Sequence, residues 1–284
     1  MKSPPLISVV TPSFNQASFI GEAIASVQLQ KYGNCEHLVI DGGSTDGTLP
    51  LLRGLKAGEG ERSVIWLTEP DSGQSEALNK GFRQAKGEII GWLNSDDRYR
   101  AGCFEQIVQA FADNPDADIL YGDYLLVDEA GKTVKIRREI EFSAFILLYH
   151  RVLYIPTTAT FFRRRVFEEK NWLDESLHYA MDLEFFIRLA ARGYRFRHIP
   201  EILADFRVHS KSKSCRAASE HRIEHQQVVL GAAPVFRRLR SPLLRKPVLW
   251  LLRFIAGVER YSKKLFKGCY RQQVRLNGPS ATDV

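Results

Sequence analysis

The sequence predicts an α/β protein in which a mostly parallel central sheet lies between layers of helices. First, β-rich segments alternate with segments whose apolar residues recur at helical spacing over the first hundred residues. Second, these strands end in small, polar or acidic residues, and open parallel sheets bind ligands beyond the carboxyl ends of their strands. The predicted strands are 6–10, 36–41, 63–67 and 89–93.

Composition is that of an ordinary soluble globular protein. The chain has 284 residues, 44% hydrophobic and 26% charged, which is enough for one large or two small domains. Its net charge of +7 is uneven, because Arg and Lys crowd into residues 235–271. The four cysteines are far apart, without a C-x-x-C pair, and therefore indicate free thiols in a reducing compartment. With no signal-peptide core and no membrane-length apolar run, we expect a cytoplasmic protein.

The loop after the first strand is polar but is not a glycine-rich phosphate loop. Residues 11–15 separate the strand from a predicted helix over 17–29. Neither G-x-G-x-x-G nor G-x-x-x-x-G-K-[ST] is present, which argues against a dinucleotide oxidoreductase and a P-loop enzyme. Small polar side chains in such a loop can still reach a nucleotide.

Carboxylates follow the other three strands. Asp41 ends the second strand, where it can accept hydrogen bonds from a base or a ribose hydroxyl. Asp71 lies in the loop after the third, before a predicted helix over 74–84 whose Lys80 either is solvated or faces a pyrophosphate. The fourth strand ends in Asp96 and Asp97, which could form a solvated turn or a site for Mg²⁺ or Mn²⁺ bridging to substrate phosphates.

Four motifs, in order and at the right spacing over about residues 5–212, resemble family 2 glycosyltransferases with the GT-A fold. They are Thr-Pro-Ser-Phe-Asn (11–15), Asp-Gly-Gly-Ser-Thr-Asp-Gly-Thr (41–48), Glu-Pro-Asp-Ser-Gly (69–73) with Ala-Leu-Asn-Lys-Gly (77–81), and Leu-Asn-Ser-Asp-Asp (93–97). The resemblance implies an inverting enzyme that uses a divalent cation, Mn²⁺ or Mg²⁺, and moves a sugar from a nucleotide-sugar donor, most commonly a UDP-sugar, to a hydroxyl acceptor. It assigns the nucleotide sugar to Thr11, Pro12, Ser13, Asn15, Asp41, Asp71, Lys80 and Asp96, and the metal to Asp97 and His209. Many relatives have Asp where this chain has Asn94, so the metal motif here rests on Asp96 and Asp97.

Asp182 is the candidate general base. It lies at the start of a predicted helix, where an Asp can also act as a helix N-cap. Inverting transfer needs a carboxylate within reach of the acceptor hydroxyl, and the resemblance places Asp182 there, with Glu184 as the alternative if the register slips. Near the end of the domain, Arg207 or Lys211 (the latter outside the residues that the structure describes) could clamp a phosphate. His209 could ligate a metal or a phosphate, or be structural.

The resemblance implies a GT-A domain over 1–215, with a nucleotide-binding half (about 1–100) and an acceptor half (about 101–215). The tail, 216–284, is predicted to be basic, amphipathic and helical, with a disordered end. Its main helix is expected to begin at Pro247, because proline breaks or starts helices. This helix could bind an anionic membrane surface, cover the catalytic domain or join two copies.

His221 and His225 each follow a glutamate, and we interpret that stretch as a solvated charged face. The expected partners are a nucleotide-sugar donor and a glycan or lipid-linked acceptor of bacterial-type polysaccharide or glycoconjugate synthesis, and no nucleic acid. A peripheral position on the inner face of the cell membrane would fit the basic tail.

Two other functions stay open from the sequence. A sugar-phosphate nucleotidyltransferase shares the architecture and the metal, but it would be expected to carry a glycine-rich basic loop after the first strand. Residues 11–16 contain no Gly, Arg or Lys. A non-catalytic nucleotide- or glycan-binding module would tolerate loss of the base, so the joint presence of Asp96, Asp97 and Asp182 speaks against it.

Overall fold

A single nine-stranded sheet runs through the part of the chain that the structure, a computed structural model, describes: residues 3–55, 64–150, 152–210, 212, 218–239 and 241–267. The strands are β1 (Ile7–Ser13), β2 (Cys35–Asp41), β3 (Val64–Thr68), β4 (Ile89–Trp92), β5 (Arg98–Tyr99), β6 (Ile119–Val127), β7 (Thr133–Arg137), β8 (Thr160–Arg163) and β9 (Phe196–Arg207). Their order is β3-β2-β1-β4-β8-β6-β9-β5, and β7 pairs with β6.

The strand order reverses between β1 and β4, and this reversal positions the site. Strands β3, β2, β1 and β4 are parallel, and Val10 of β1 pairs with Trp92 of β4. The chain moves outward in one direction from β1 to β2 and β3, then returns to the other side of β1 as β4. Such a switch point leaves a crevice beyond the carboxyl ends of the two strands. Beyond β4 the sheet is mixed, with β8 antiparallel to both β4 and β6.

Helices cover both faces of this sheet. They are α1 (Ile20–Gln28), α2 (Thr48–Gly54), α3 (Gln74–Gln84), α4 (Cys103–Asp113), α5 (Ala144–Tyr149), α6 (Arg165–Glu168), α7 (Met181–Ala191), α8 (Ala218–Ala232), α9 (Pro234–Arg238) and α10 (Pro242–Phe266). Because side chains alternate along a strand, Val9 packs towards α1 and α4, while Val10 packs towards α3 and α7. The result is the predicted α/β/α layering with C-terminal helices.

The aromatic and apolar segment 142–154 contains α5 and belongs to the core, where it buries Ile146 and Leu147. Cys35 and Cys103 are buried free thiols, whereas Cys215 and Cys269 lie outside the described residues. The expected disorder of the last residues also concerns positions outside the described range, 268–284. Among the residues that the structure describes, no helix is both long and apolar enough to cross a membrane.

Prolines lie inside two elements, and the predicted start of the tail helix at Pro247 is wrong. Strand β9 continues through Pro200, which has no N–H to donate, because its pairing with β6 shifts opposite Gly122. The tail helix α10 begins at Pro242 and continues through Pro247. The carbonyl that loses its helical partner belongs to Leu243, which is 86% exposed and can be hydrated instead.

Candidate active site

A cavity of about 620 Å³ opens at the switch point between β1 and β4. Its walls come from the ends of β1 and β4, the loop between β3 and α3, the start of α7, the end of β9, and one turn of α8. This volume is typical of small-molecule sites. Five predicted site residues line it: Pro12, Ser13, Asp71, Asp96 and Asp182.

The acidic tip after β4 divides its two carboxylates between different roles. Asp96 lines the cavity, and its Oδ2 lies 3.1 Å from Nε2 of His209. Asp97 is buried beneath it, where Oδ1 accepts the backbone N–H of Arg207 and Oδ2 accepts from the amide of Asn94. Burial, and then the neighbouring charge of Asp96, hold the pKa of Asp97 well above its usual range. The carboxylate that is presented to a ligand is therefore that of Asp96.

Arg207 holds this tip from behind, and its assignment as a phosphate clamp stays a prediction. Its buried guanidinium donates to the carbonyl oxygens of Asp96 (3.0 Å) and Glu129 (2.6 Å) and to the carboxylate of Glu22 (2.6 Å). The guanidinium also lies over the ring of Phe19, 5.1 Å from its centroid. Because these hydrogen bonds engage Nε, Nη1 and Nη2 with protein oxygens, the guanidinium acts as a structural cation.

Asn94, the departure from the usual Asp, connects the tip to the cavity wall. Its Oδ1 accepts from Nε1 of Trp92 (2.9 Å) and from the amide of Gln74 (3.0 Å), while its Nδ2 donates to Asp97. An Asp could accept the first two bonds but could not donate to a carboxylate unless one of the two were protonated. The amide therefore suits the buried Asp97.

The first two motifs are bonded largely to one another. Oδ1 of Asn15 accepts the backbone N–H of Thr45, and the carboxylate of Asp41 accepts from Gly43, Ser44 and Thr68. Thr11 is buried, with its hydroxyl 2.8 Å from Nε2 of His37. Thr11, Asn15 and Asp41 do not line the cavity, and in this structure they shape the loops around it.

Ser13 and Phe14 give the end of β1 its binding surface. The hydroxyl oxygen of Ser13 is buried and has no hydrogen-bond partner among the described residues, which leaves it available to a ligand. Phe14 is 58% exposed on the cavity wall, where its ring could stack on a base or a sugar. Sequence reasoning missed this ring, although an aromatic residue inside a polar turn was a visible signal.

Asp71 faces the cavity, whereas Lys80 does not. Burial raises the pKa of Asp71, and a Cβ on Gly42 would lie only 2.5 Å from its Oδ2, so glycine permits this close approach. Lys80 forms ion pairs of 2.8 Å with Glu69 and with Glu76. Its assignment to the nucleotide region stays a prediction.

Asp182 is the second residue of α7 and lines the same cavity as Asp96. The N-cap position belongs to Ala180, so Asp182 is not the N-cap. Two residues of the tail accompany it: His221 lines the same cavity, and Glu224 accepts backbone N–H groups just before α7. The interpretation of this stretch as a solvated face is wrong, because α8 packs back onto α7, and no local pattern could have indicated that.

The charges on the wall favour a cation as part of the ligand set. Asp71, Asp96 and Asp182 supply three carboxylates, and Arg207 is the one Arg or Lys among the described lining residues. No group of three or more His, Cys, Asp or Glu converges as a metal site in the described ranges. Mg²⁺ and Mn²⁺ are, however, often held by one or two side chains together with substrate phosphates. Two adjacent ligand atoms of an octahedral ion lie about 3 Å apart. The Oδ2 atom of Asp96 and the Nε2 atom of His209 are 3.1 Å apart.

A family model for glycosyl transferase family 2 matches residues 8–170, a span that includes β1 to β8 and the acidic tip. The chain belongs to glycosyl transferase family 2. This glycosyltransferase is 32% identical over 192 residues to an uncharacterised glycosyltransferase of Mycobacterium tuberculosis, covering 67% of the chain and 71% of the relative. It is 29% identical over 231 residues to one of Rickettsia typhi, covering 76% and 68%.

Solved structures with the same fold include two with bound nucleotide. S. aureus TarS 1–349 in complex with UDP aligns with a TM-score of 0.61 and 21% identity, over 82% of this glycosyltransferase and 68% of that chain. The mannosyltransferase PcManGT of Pyrobaculum calidifontis, in complex with GDP-Man and Mn²⁺, aligns with a TM-score of 0.63 and 20% identity, over 89% and 70%. These alignments confirm the predicted GT-A fold.

Proposed function

We propose that this glycosyltransferase moves a sugar from a UDP-sugar to a hydroxyl group of a glycan or lipid-linked acceptor, with inversion at the anomeric carbon. The observation that carries the proposal is that Asp71, Asp96 and Asp182, which lie far apart in sequence, line one cavity at the switch point of the sheet. Among the solved structures of this fold, TarS has UDP bound and PcManGT has GDP-Man bound, so the fold accepts both nucleotides and the binding experiment below decides between them. Membership of the family decides against the nucleotidyltransferase alternative.

We infer that a divalent cation is held by Asp96 and His209, with Asp97 beneath them. A donor diphosphate placed against three carboxylates would be repelled unless a cation offset the charge. One carboxylate oxygen and one imidazole nitrogen suit Mn²⁺ better than Mg²⁺, which prefers oxygen ligands. When bound, the cation would supply Lewis-acid stabilisation of the leaving diphosphate. A direct metal-ligand role for Asp97 itself stays a prediction.

Asp182 is proposed to accept the proton of the acceptor hydroxyl. As that oxygen forms its bond to the anomeric carbon, the bond from this carbon to the diphosphate oxygen breaks, and the nucleoside diphosphate leaves with the electron pair. One displacement inverts the stereocentre. Loss of general-base assistance typically costs 10²–10⁴-fold, so Asp182→Asn should lower turnover by about that factor.

The test combines donor binding with turnover. The protein is offered UDP-, GDP- and dTDP-sugars with Mn²⁺, with Mg²⁺ and with EDTA, and the experiment is repeated for Asp96→Asn, Asp97→Asn and Asp182→Asn. Asp113→Asn, an exposed residue bonded to Gln109, is the control. We expect metal-dependent binding of UDP-sugars, abolished by Asp96→Asn and retained by Asp182→Asn.

Several outcomes would contradict the proposal. Binding unaffected by EDTA would remove the cation, and binding of only GDP- or dTDP-sugars would replace the donor. If donor binding no longer depends on the metal in Asp97→Asn but still does in Asp96→Asn, then Asp97 and not Asp96 is the metal ligand. No binding of any donor would favour a non-catalytic module.

We further propose that the enzyme docks on an anionic lipid surface through α10. One face of this helix packs into the core through Leu249 and Ala256. The other face exposes apolar side chains: Leu243, Leu244, Trp250, Leu251, Phe254, Ile255, Val258, Leu265 and Phe266. An amphipathic helix of this kind can lie in the interface of a membrane.

Charge selects the lipid over a second copy of the chain. The helix contains six basic residues and one acidic residue, Glu259, which bonds to Ser143 and Lys263. Arg260 and Lys264 pair with the buried Glu139, whereas Arg245 and Lys246 are exposed at the start of the helix. Two copies would bring like charges together, whereas an anionic headgroup layer is complementary. This surface would place the active site near lipid-linked acceptors.

The docking surface is tested with vesicles of phosphatidylcholine, with and without phosphatidylglycerol. We expect sedimentation with the anionic vesicles only, weakened by salt and lost in the double variant Trp250→Ser/Phe254→Ser. Leu29→Ser, which removes an even more exposed apolar side chain at the end of α1, should bind like the wild type. Undiminished binding by the double variant, or a stable dimer dissociated by it, would overturn the assignment.

A further inference from the structure

The backbone that leads into α7 donates hydrogen bonds to a carboxylate from the C-terminal tail. Three consecutive N–H groups donate to Glu224 of α8: His178 to Oε1 at 2.9 Å, and Tyr179 and Ala180 to Oε2 at 2.5 Å each. Hydrogen bonds to an ionised carboxylate are about twice as strong as neutral ones. A single tail side chain therefore satisfies three donors that the start of α7 leaves unpaired.

The same backbone sets the position of Asp182. The carbonyl of Ala180 accepts the N–H of Glu184, which forms the first bond of the helix. His178 and Tyr179 line the cavity beside Asp182. A movement of residues 178–180 would therefore displace the first turn that carries Asp182.

Glu224 belongs to a helix, α8, that packs into the core through other residues. Val229 of α8 is fully buried in the same core as Leu183 and Phe186 of α7, and Phe236 of α9 joins them. Removing the Glu224 carboxylate should therefore leave α8 in place. What changes is the local restraint on the residues before Asp182.

We propose that Glu224 is a positioning residue for Asp182, so that the tail completes the active site; this role rests on the proposed function of Asp182 as the base. Glu224 is not among the described residues that line the cavity, and it acts through the backbone of residues 178–180. A displacement of about 1 Å at a reacting group can cost about 10²-fold in rate. We expect Glu224→Gln to lower kcat by about 10- to 100-fold and to leave donor affinity unchanged.

Glutamine is a sharp probe because it has nearly the same shape. It keeps one acceptor oxygen but turns the other into an NH₂ donor, which would face backbone donors instead of accepting from them. Glu220→Gln is the matched control, because it makes the same charge change on the same helix at an exposed residue whose carboxylate bonds to Ser219. It should retain wild-type kcat and KM.

A double-mutant cycle separates positioning from general damage. If Glu224 acts only through Asp182, then Glu224→Gln should have no further effect on the residual rate of Asp182→Asn. Glu224→Asp, which restores the charge on a shorter side chain, should recover part of the lost kcat. It also serves as the second variant if Glu224→Gln does not fold.

The outcomes distinguish this proposal from the function on which it rests. Wild-type kcat in Glu224→Gln, an equal loss of rate in the Asp182→Asn background, or a loss of donor affinity would overturn the positioning role alone. Full turnover by Asp182→Asn would overturn the base assignment and the role of Glu224 with it. A kcat loss that vanishes in the Asp182→Asn background would establish both.

Discussion

Replacing Arg207 by methionine removes the cation behind the acidic tip while keeping most of the side-chain volume. Two backbone carbonyls, those of Asp96 and Glu129, lose a charged donor at 3.0 and 2.6 Å. Because both bonds are only partly buried, each is assigned the lower end of the range for charged hydrogen bonds, about 1.5 kcal/mol. The pair with Glu22, whose side chain is 48% exposed, adds at most about 1 kcal/mol. We expect Arg207→Met to lower the free energy of unfolding by about 3 to 4 kcal/mol.

Urea denaturation measures this loss, and donor binding decides what it means. Arg100→Met is the control, because its side chain is 45% exposed and forms one ion pair, with Asp205, so it should cost less than about 1 kcal/mol. A structural role for Arg207 predicts that Lys substitutes poorly, since one ammonium cannot replace three guanidinium bonds. A loss below about 1 kcal/mol for Arg207→Met, together with a large loss of donor affinity, would refute this reasoning and restore the phosphate clamp.

Three further predictions concern pH, packing and charge. Burial lowers the pKa of His225 to about 4, so the folded state keeps this imidazole neutral while the unfolded chain protonates below its ordinary value. The stability that this group contributes is full above about pH 6.5 and is lost as the pH is lowered. Between pH 6.5 and 5, the free energy of unfolding measured with urea should therefore fall by about 1.5 kcal/mol less in His225→Leu than in the wild type. Equal decreases in the two proteins would exclude this. Gly81→Ala would place a Cβ 2.3 Å from Cγ1 of Val10 and should lower the free energy of unfolding by about 1–3 kcal/mol. Gly231→Ala has open space around the added Cβ and should be neutral or stabilising in the same urea assay. Equal effects of the two substitutions would contradict the packing argument. Lys80→Met should leave donor affinity within about twofold because both glutamate partners already hold the ammonium, and a loss of tenfold or more in the binding assay would support its role at the pyrophosphate.

Local pattern predicted the elements of the first hundred residues well. Alternating apolar periods are a short-range property, and they located β1, β2, β4 and α3 to within a few residues. The pattern failed where pairing or packing overrides a local preference. Strand β9 continues through Pro200 because its register against β6 shifts there. Helix α10 begins before Pro247 because the carbonyl of Leu243, which loses its helical partner, can be hydrated instead.

The candidate site was predicted unevenly. Pro12, Ser13, Asp71, Asp96 and Asp182 line one cavity in the structure, and the roles assigned to them stay predictions. Within each motif, however, the sequence could not tell a side chain that faces a ligand from one that holds the loop. The hydrogen-bond partners of residues such as Asn15 and Asp41 come from other loops, and they become visible only when those loops meet.

By itself, the sequence determined the fold class, the family and the strand ends that carry carboxylates, because these depend on residue type and local order. The tertiary structure decided which carboxylate is exposed, since burial under Arg207 separates Asp97 from its neighbour Asp96. It also brought Glu224 from the tail to the start of α7. Both outcomes depend on contacts between segments far apart in the chain, and such contacts form only when the whole core packs.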